Sequence, residues 1–256
     1  MVGKGKSMIG SVLKVCKILD CFTNDEPSLG NSEIAAKLNM SPSTVHHLVS
    51  TLYKEGILIK DSRNKYRLGW KLLEWSSSVM YQQDIYNEAN PLVGELVKNF
   101  NGVAHIGMLD ERGNFVFVLK MASRHAIEVP TYVGERKPTY CFSTGKALLS
   151  CKPNLLQTTL THKLMQRGPN TITSIEQLKS EIDDIRKKGY ATSNNENEFG
   201  IYGIAAPIKS YSGQTVAALN MVGPIAYMQG NQHQVMIQSI MSTAKDISKE
   251  LGYIEI

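Results

Sequence analysis

Residues 41–69, SPSTVHHLVSTLYKEGILIKDSRNKYRLG, decide the reading of the N-terminal quarter of the chain. Ser41 followed by Pro42 is a helix start, an N-cap side chain and then proline at the first helical position. The helix predicted from there runs to about Glu55 and ends at Gly56. Projected at 100° per residue, Val45, Leu48, Val49 and Leu52 share one side, and Ser43, His47, Ser50 and Lys54 lie opposite. That outer face has small polar groups, one imidazole and one ammonium, and no carboxylate. Ile57–Asp61 and Tyr66–Gly69 then read as two short strands around the polar turn Ser62-Arg63-Asn64-Lys65. Arg63 and Lys65 fall at the hairpin tip, suited to a phosphate or a minor groove.

Two shorter helices precede this stretch. Val12, Val15, Cys16, Leu19 and Phe22 predict a first helix with one buried face. After a turn containing Pro27 and Gly30, Ser32 is the expected cap of a second, which turns Ile34, Ala35 and Leu38 inward. Three helices followed by a hairpin form the order of a winged helix-turn-helix. Small residues let a helix lie deep in a major groove, where Ser and His can meet base edges. The candidate DNA contacts are Ser41, Ser43, Thr44, His47, Ser50, Lys54, Arg63 and Lys65. The same face would also serve as an ordinary solvated helix surface.

Composition agrees with a two-part chain. Of 256 residues, 42% are hydrophobic and 20% charged, which excludes a disordered chain. No run of about 18 apolar residues is present, so no bilayer span is expected. Lys14, Lys17 and Asp20 break any signal-peptide core, and Cys16, Cys21, Cys141 and Cys151 lack metal-type spacing. A reducing cytoplasm with free thiols is the expected setting. The net charge of +5 is uneven: residues 1–69 hold ten basic and six acidic side chains, the remainder eighteen and seventeen. The small module is therefore the part expected to meet an anionic partner.

Trp70 to Glu88 has no internal proline or glycine and predicts a single linker helix, after which Asn90-Pro91 starts another. Strands are expected at Val103–Leu109, Phe115–Met121, Ile127–Val133, Tyr190–Ser193, Gly203–Lys209 and Thr215–Val222, with a turn at Asp110–Asn114. Thr144–Cys151 begins a short helix, Ser174 to Gly189 bounds a capped one, and Gln232 to Leu251 forms the last. The fold class is α+β, an antiparallel sheet with helices on its sides. The domains expected are residues 1–69, 70–88 and 89–256.

Several spaced motifs carry a family resemblance over roughly residues 10–252. Ser32-Glu33-Ile34-Ala35, Ser43-Thr44-Val45-His46-His47-Leu48, Thr51-Leu52, Gly56 and Tyr66-Arg67-Leu68-Gly69 resemble the winged helix of IclR-type bacterial transcription regulators. Thr144-Gly145-Lys146-Ala147-Leu148-Leu149 resembles the GKALLA segment of that family, Gly189-Tyr190-Ala191 through Glu196 and Gly200 its next motif, and Ile204–Ile208 with Gly223-Pro224 its following strands. The resemblance implies a GAF-like effector domain, a homodimer or tetramer, and control of a catabolic operon. His47 stands where the family usually has arginine, so the family's guanine reading does not carry over.

The same resemblance directs attention to an effector site. Asn194 and Asn195 replace acidic residues, Asn220 stands where small-acid sensors often carry serine, and Gly203 where some carry cysteine. The candidate effector residues are Cys141, Ser143, Thr144, Gly145, Asn194, Glu196, Gly203 and Asn220, with the helix N-terminus at Ser143–Gly145 facing an anion. A small organic or sugar acid is the expected effector. Ordinary turn and core positions account for the same residues equally well.

Other chemistry fits less well. A phosphate-binding loop would need glycine at Tyr140 and Ser or Thr at Ala147. Cys141 has no visible catalytic partner, and His105, His125, His162 and His233 are scattered, so no catalytic residue, metal or cofactor is assigned. The alternatives kept are an enzyme domain or a metal-responsive sensor fused to a DNA-binding module.

Overall fold

Ser41 does start a helix. In the computed structural model, which describes residues 8–82, 84–110, 113–127 and 129–255, its backbone is extended and its Oγ accepts the Thr44 N–H at 3.3 Å. The chain divides into two units at Gln82/Gln83. The first contains α1 (Gly10–Leu19), α2 (Asn31–Leu38), α3 (Pro42–Lys54), β1 (Leu58–Lys60), β2 (Tyr66–Leu68) and α4 (Lys71–Tyr81). β1 and β2 pair antiparallel with Ile59 opposite Arg67, and Leu29 bridges Tyr66 on the other side. Ile18, Phe22, Leu29, Ile34, Val45, Val49, Leu52, Leu58 and Tyr66 close the core.

Three local expectations change here. Ser32 is not the cap of α2: the helix begins at Asn31, and the Glu33 carboxylate reaches back to accept the Gly30 N–H at 2.6 Å. The buried edge of α1 is Ile18, continued by Phe22, while Val12 is 55% exposed. Val15 and the last turn of α1 reach the core, whereas Val12 and Leu13 of its earlier turns are exposed. The helix expected over 70–88 ends at Tyr81, and no residue of α4 is buried.

The second unit begins with α5 (Asp84–Phe100). Pro91 lies inside this helix instead of opening a new one. The ridge Ile85, Ala89, Val93, Leu96 and Phe100 packs continuously across it, and Pro91 faces solvent. The carbonyl that loses its N–H donor to proline can thus accept a hydrogen bond from water on this exposed side.

The six strands are β3 (Val103–Leu109), β4 (Phe115–Ala122), β5 (Arg136–Lys137), β6 (Ala191–Asn194), β7 (Ile201–Lys209) and β8 (Thr215–Pro224). Their order is β5-β4-β3-β8-β7-β6 and every pairing is antiparallel. The helices are α6 (Ser143–Ser150), α7 (Pro153–Leu160), α8 (Ile175–Lys188), α9 (Ile225–Met228) and α10 (His233–Glu250). Alternation splits the strands between two layers. Ala104, Ile106, Ile204, Leu219 and Met221 pack with α5 and α10. Phe115, Phe117, Ala205 and Ala218 pack with α6 and α8. No strand forms over the described part of Ile127–Val133, because Pro130 lacks a donor for a sheet ladder. Lys120 Nζ instead binds the Val129 and Thr131 carbonyls at 2.8 and 2.6 Å, and β5 takes the edge. Glu111 and Arg112 of the expected turn at 110–114 lie outside the described residues.

Candidate functional site

α3 presents Ser43, His47 and Lys54 to solvent, with Ser50 half-buried, because Val45, Val49 and Leu52 hold the opposite side in the core. Ser41 and Thr44 are less available than the sequence suggests: their hydroxyls lie 2.7 Å apart and Ser41 caps the helix. His46 is turned aside, its Nδ1 3.3 Å from the Asn31 amide of α2.

The hairpin turn is built on one carboxylate. Asp61 Oδ1 accepts the N–H groups of Arg63 and Lys65, both at 2.9 Å, and Oδ2 accepts the Ser28 hydroxyl at 2.6 Å. The Ser28 hydroxyl, with those N–H groups, holds the Asp61 carboxyl below the usual carboxylate range. Arg63 stays exposed at the tip. Lys65 does not: its ammonium lies 2.6 Å from Glu33 Oε1, so the expectation of two free tip cations reduces to one. The cause is Glu33, whose two oxygens serve Gly30 and Lys65 together.

The second unit holds a small cavity of about 50 Å³. Three of the candidate effector residues, Cys141, Glu196 and Asn220, line it. Ser143 stands one contact behind, accepting from the Asn220 amide at 3.4 Å. Gly203 lies beneath: a Cβ there would sit 2.7 Å from Ser143 Oγ and 2.9 Å from Ser193 Oγ. Thr144, Gly145 and Asn194 are absent from the described lining. The first turn of α6, expected to offer N–H groups to a ligand, is fully buried. A Cβ on Gly145 would meet the Thr139 carbonyl oxygen at 2.2 Å, so its absent side chain serves backbone packing and not a ligand.

His105, Thr131, Lys137 and Ser193 also line the cavity and escaped the sequence reading. The available signal was a histidine on a strand between Ala104 and Ile106. His105 is cross-strand from Asn220, and both point to the α6 layer. His105 Nδ1 is 3.0 Å from Asn220 Oδ1, and Nε2 is 2.7 Å from Thr131 Oγ1. With the Asn220 nitrogen donating to Ser143, its oxygen must accept, so Nδ1 carries the hydrogen and Nε2 accepts from Thr131. Burial pushes this imidazole down to about 4, which keeps it neutral.

Lys146 of α6 is fully buried, its ammonium 2.7 Å from Glu196 Oε1 and 2.9 Å from Glu181 Oε1 of α8. It is therefore committed to an ion cluster. Glu196 Oε2 is buried and has no hydrogen-bond partner. Burial pushes the Glu196 carboxyl up, and the Lys146 ammonium opposes that shift. Cys141 is also buried and pushed up to about 12, which leaves it a packing thiol and not a nucleophile. Among the described residues no group of three or more His, Cys, Asp or Glu is placed to hold a metal. No described helix is long and apolar enough to cross a membrane.

Comparison with known proteins covers both units. Residues 11–62 match the IclR helix-turn-helix domain, and residues 77–249 match the model described as bacterial transcriptional regulator IclR, C-terminal. The HTH-type transcriptional regulator KdgR of Escherichia coli (strain K12) is 28% identical over 253 residues, covering 98% of this chain and 95% of that protein. The HTH-type transcriptional regulator KipR of Bacillus subtilis (strain 168) is 30% identical over 250 residues, covering 95% and 97%. The crystal structure of the Thermotoga maritima IclR superposes with a TM-score of 0.80 at 28% identity, covering 96% of this chain and all of that one. An IclR homolog complexed with 4-hydroxybenzoate, from Microbacterium hydrocarbonoxydans, reaches 0.85 at 24% identity, covering 94% and 99%.

Proposed function

The chain belongs to the IclR family of DNA-binding transcription regulators, and from that premise we propose that it reads an operator with α3 and responds to a small molecule held in the cavity of its second unit. Its matched relatives are regulators and not enzymes. The observation that carries the proposal is the free face of α3. Ser43, His47, Ser50 and Lys54 lie on it with no carboxylate among them, and the exposed Arg63 extends from the neighbouring hairpin. In this reading Ser43, His47 and Ser50 meet base edges, while Lys54 and Arg63 bind phosphate.

One such module offers little surface, and two-fold operators need two-fold proteins. The exposed Val12 and Leu13 on α1, and Leu73, Trp75 and Val79 on α4, support pairing of two copies as a homodimer, or a tetramer of such pairs. The cavity, with Thr131, Ser193, Asn197 and Asn220 in its wall beside Lys137, Glu196 and Glu198, supports a small oxygen-rich effector, in our reading an organic or sugar acid. The fold neighbour complexed with 4-hydroxybenzoate is consistent with an organic acid in this fold. Effector binding would favour one arrangement of the paired copies over another, and so tune a catabolic operon from the cytoplasm.

Gel shifts on the DNA upstream of its own and neighbouring genes, with and without a panel of sugar acids and aromatic acids, test this reading. Sequence-preferring retardation by a dimer or tetramer, altered by one panel member, is expected. Equal retardation of all DNA, or operator binding by a species that sediments as a monomer, refutes it.

A further inference from the structure

An open cleft of about 290 Å³ lies between the turn before β4, the stretch after β5 and the end of α7. It shares no described lining residue with the cavity that holds His105 and Asn220. Its base is apolar, formed by Tyr140 and Leu164, which are almost fully buried. The Tyr140 hydroxyl donates to the Met165 carbonyl at 2.8 Å and accepts the Met165 N–H at 3.0 Å, which ties the turn after α7 to that base. The Thr158 and Thr159 carbonyls at the end of α7 already accept from the N–H groups of Thr161 and His162, at 3.1 and 3.2 Å. Four other polar groups line the cleft without a protein partner: the Asn114 amide, the Thr159 hydroxyl, the His162 imidazole and the Lys163 ammonium. All four can donate, the imidazole from one ring N–H in either tautomer. Among the described lining residues there is no carboxylate.

We propose that this cleft is a separate binding site for a small phosphate ester. The phosphate sits among Asn114, Thr159, His162 and Lys163, and the organic part rests on Tyr140 and Leu164. A phosphate brings three strong acceptor oxygens to a set made only of donors, and a lysine meets its charge as a point cation. A cationic molecule would face the ammonium with nothing to offset it. The volume is near the lower limit of small-molecule sites, about 300 Å³, so the organic part is no larger than a single ring.

Calorimetry on the full chain at fixed ionic strength tests it, with phenyl phosphate, inorganic phosphate and phenol as probes. Phenyl phosphate should bind at least about 10-fold tighter than either fragment, because only it uses both the donors and the apolar base. Lys163→Gln should weaken it roughly 10- to 100-fold, the range of one hydrogen bond to a charged group. His162→Ala should weaken it several-fold. Both side chains are exposed, so neither variant disturbs the core. Lys179→Gln removes the same charge from an exposed position on α8 and should leave the affinity unchanged. No binding of phenyl phosphate, or equal binding of phenol or of inorganic phosphate, overturns the proposal. Unchanged affinity in Lys163→Gln or in His162→Ala puts the probe elsewhere and overturns it too. An equal loss in Lys179→Gln shows diffuse attraction to surface charge in place of a site, and refutes it as well.

Discussion

Acidification should weaken the second unit through one residue, His105. Its imidazole is buried, donates from Nδ1 to Asn220 and accepts at Nε2 from Thr131, and is pushed from 6.5 to about 4. A group whose pKa is depressed on folding supplies stability that is present above the unfolded value and lost as pH falls toward the folded one. The window is therefore 6.5 down to about 4. With those two values, linkage gives a loss of about 2 kcal/mol between pH 7 and pH 5 and about 3 by pH 4. Glu196 works the other way. Its carboxyl is raised by burial, so its contribution improves as pH falls through its own window. The clean quantity is thus the difference between wild type and His105→Gln. Urea unfolding followed by far-UV circular dichroism at pH 7, 6 and 5 should show a wild-type slope that the variant lacks. Long-range ¹H–¹⁵N spectra of the imidazole should show an Nδ1–H tautomer that titrates near 4. A free-histidine titration near 6.5, or identical pH slopes in the two proteins, would refute the reasoning.

The hairpin makes a different test, in which Arg63→Ala should reduce the slope of log K against log salt by about one per copy bound to DNA. Lys65→Ala should change that slope distinctly less, because Glu33 already neutralises its ammonium; equal effects of the two substitutions would contradict the pairing. In the second unit Gly145→Ala should cost about 1–3 kcal/mol or more, since the new Cβ meets Thr139 backbone atoms that cannot swing away. A melting temperature within a degree of wild type would show that α6 is not held as described.

The first unit was legible because its signals are local. Ser41-Pro42 starts α3, Gly56 at φ 72 ends it, and the outer face of the helix follows from periodicity alone. The fate of Lys65 was not, because Glu33 lies 32 positions away and only the fold brings them together. Helix limits failed where tertiary packing overrode local chemistry. Pro91 looked like a start, but the ridge of α5 runs through it. In the effector unit, strand alternation located most of the sheet, and Asn220 was singled out by comparison of motifs. Its partner His105 comes from a strand 115 positions earlier, so neither spacing nor composition could join them. Thr144 and Gly145 misled for a related reason. A helix start looks the same in sequence whether it faces a ligand or, as here, the backbone of Thr139.

The chain has two tryptophans, Trp70 and Trp75, 73% and 46% exposed, at the start of α4. This gives the molecule a built-in optical probe with a single address. Selective indole excitation samples α4 and its approach, and the cavity, which has no tryptophan in its wall, stays dark. Emission from these indoles should be that of water-facing rings in a lone copy and should move to shorter wavelength when another surface covers them. Because the cavity wall itself holds no tryptophan, a change in emission on adding a small molecule reports the surroundings of α4 and its approach.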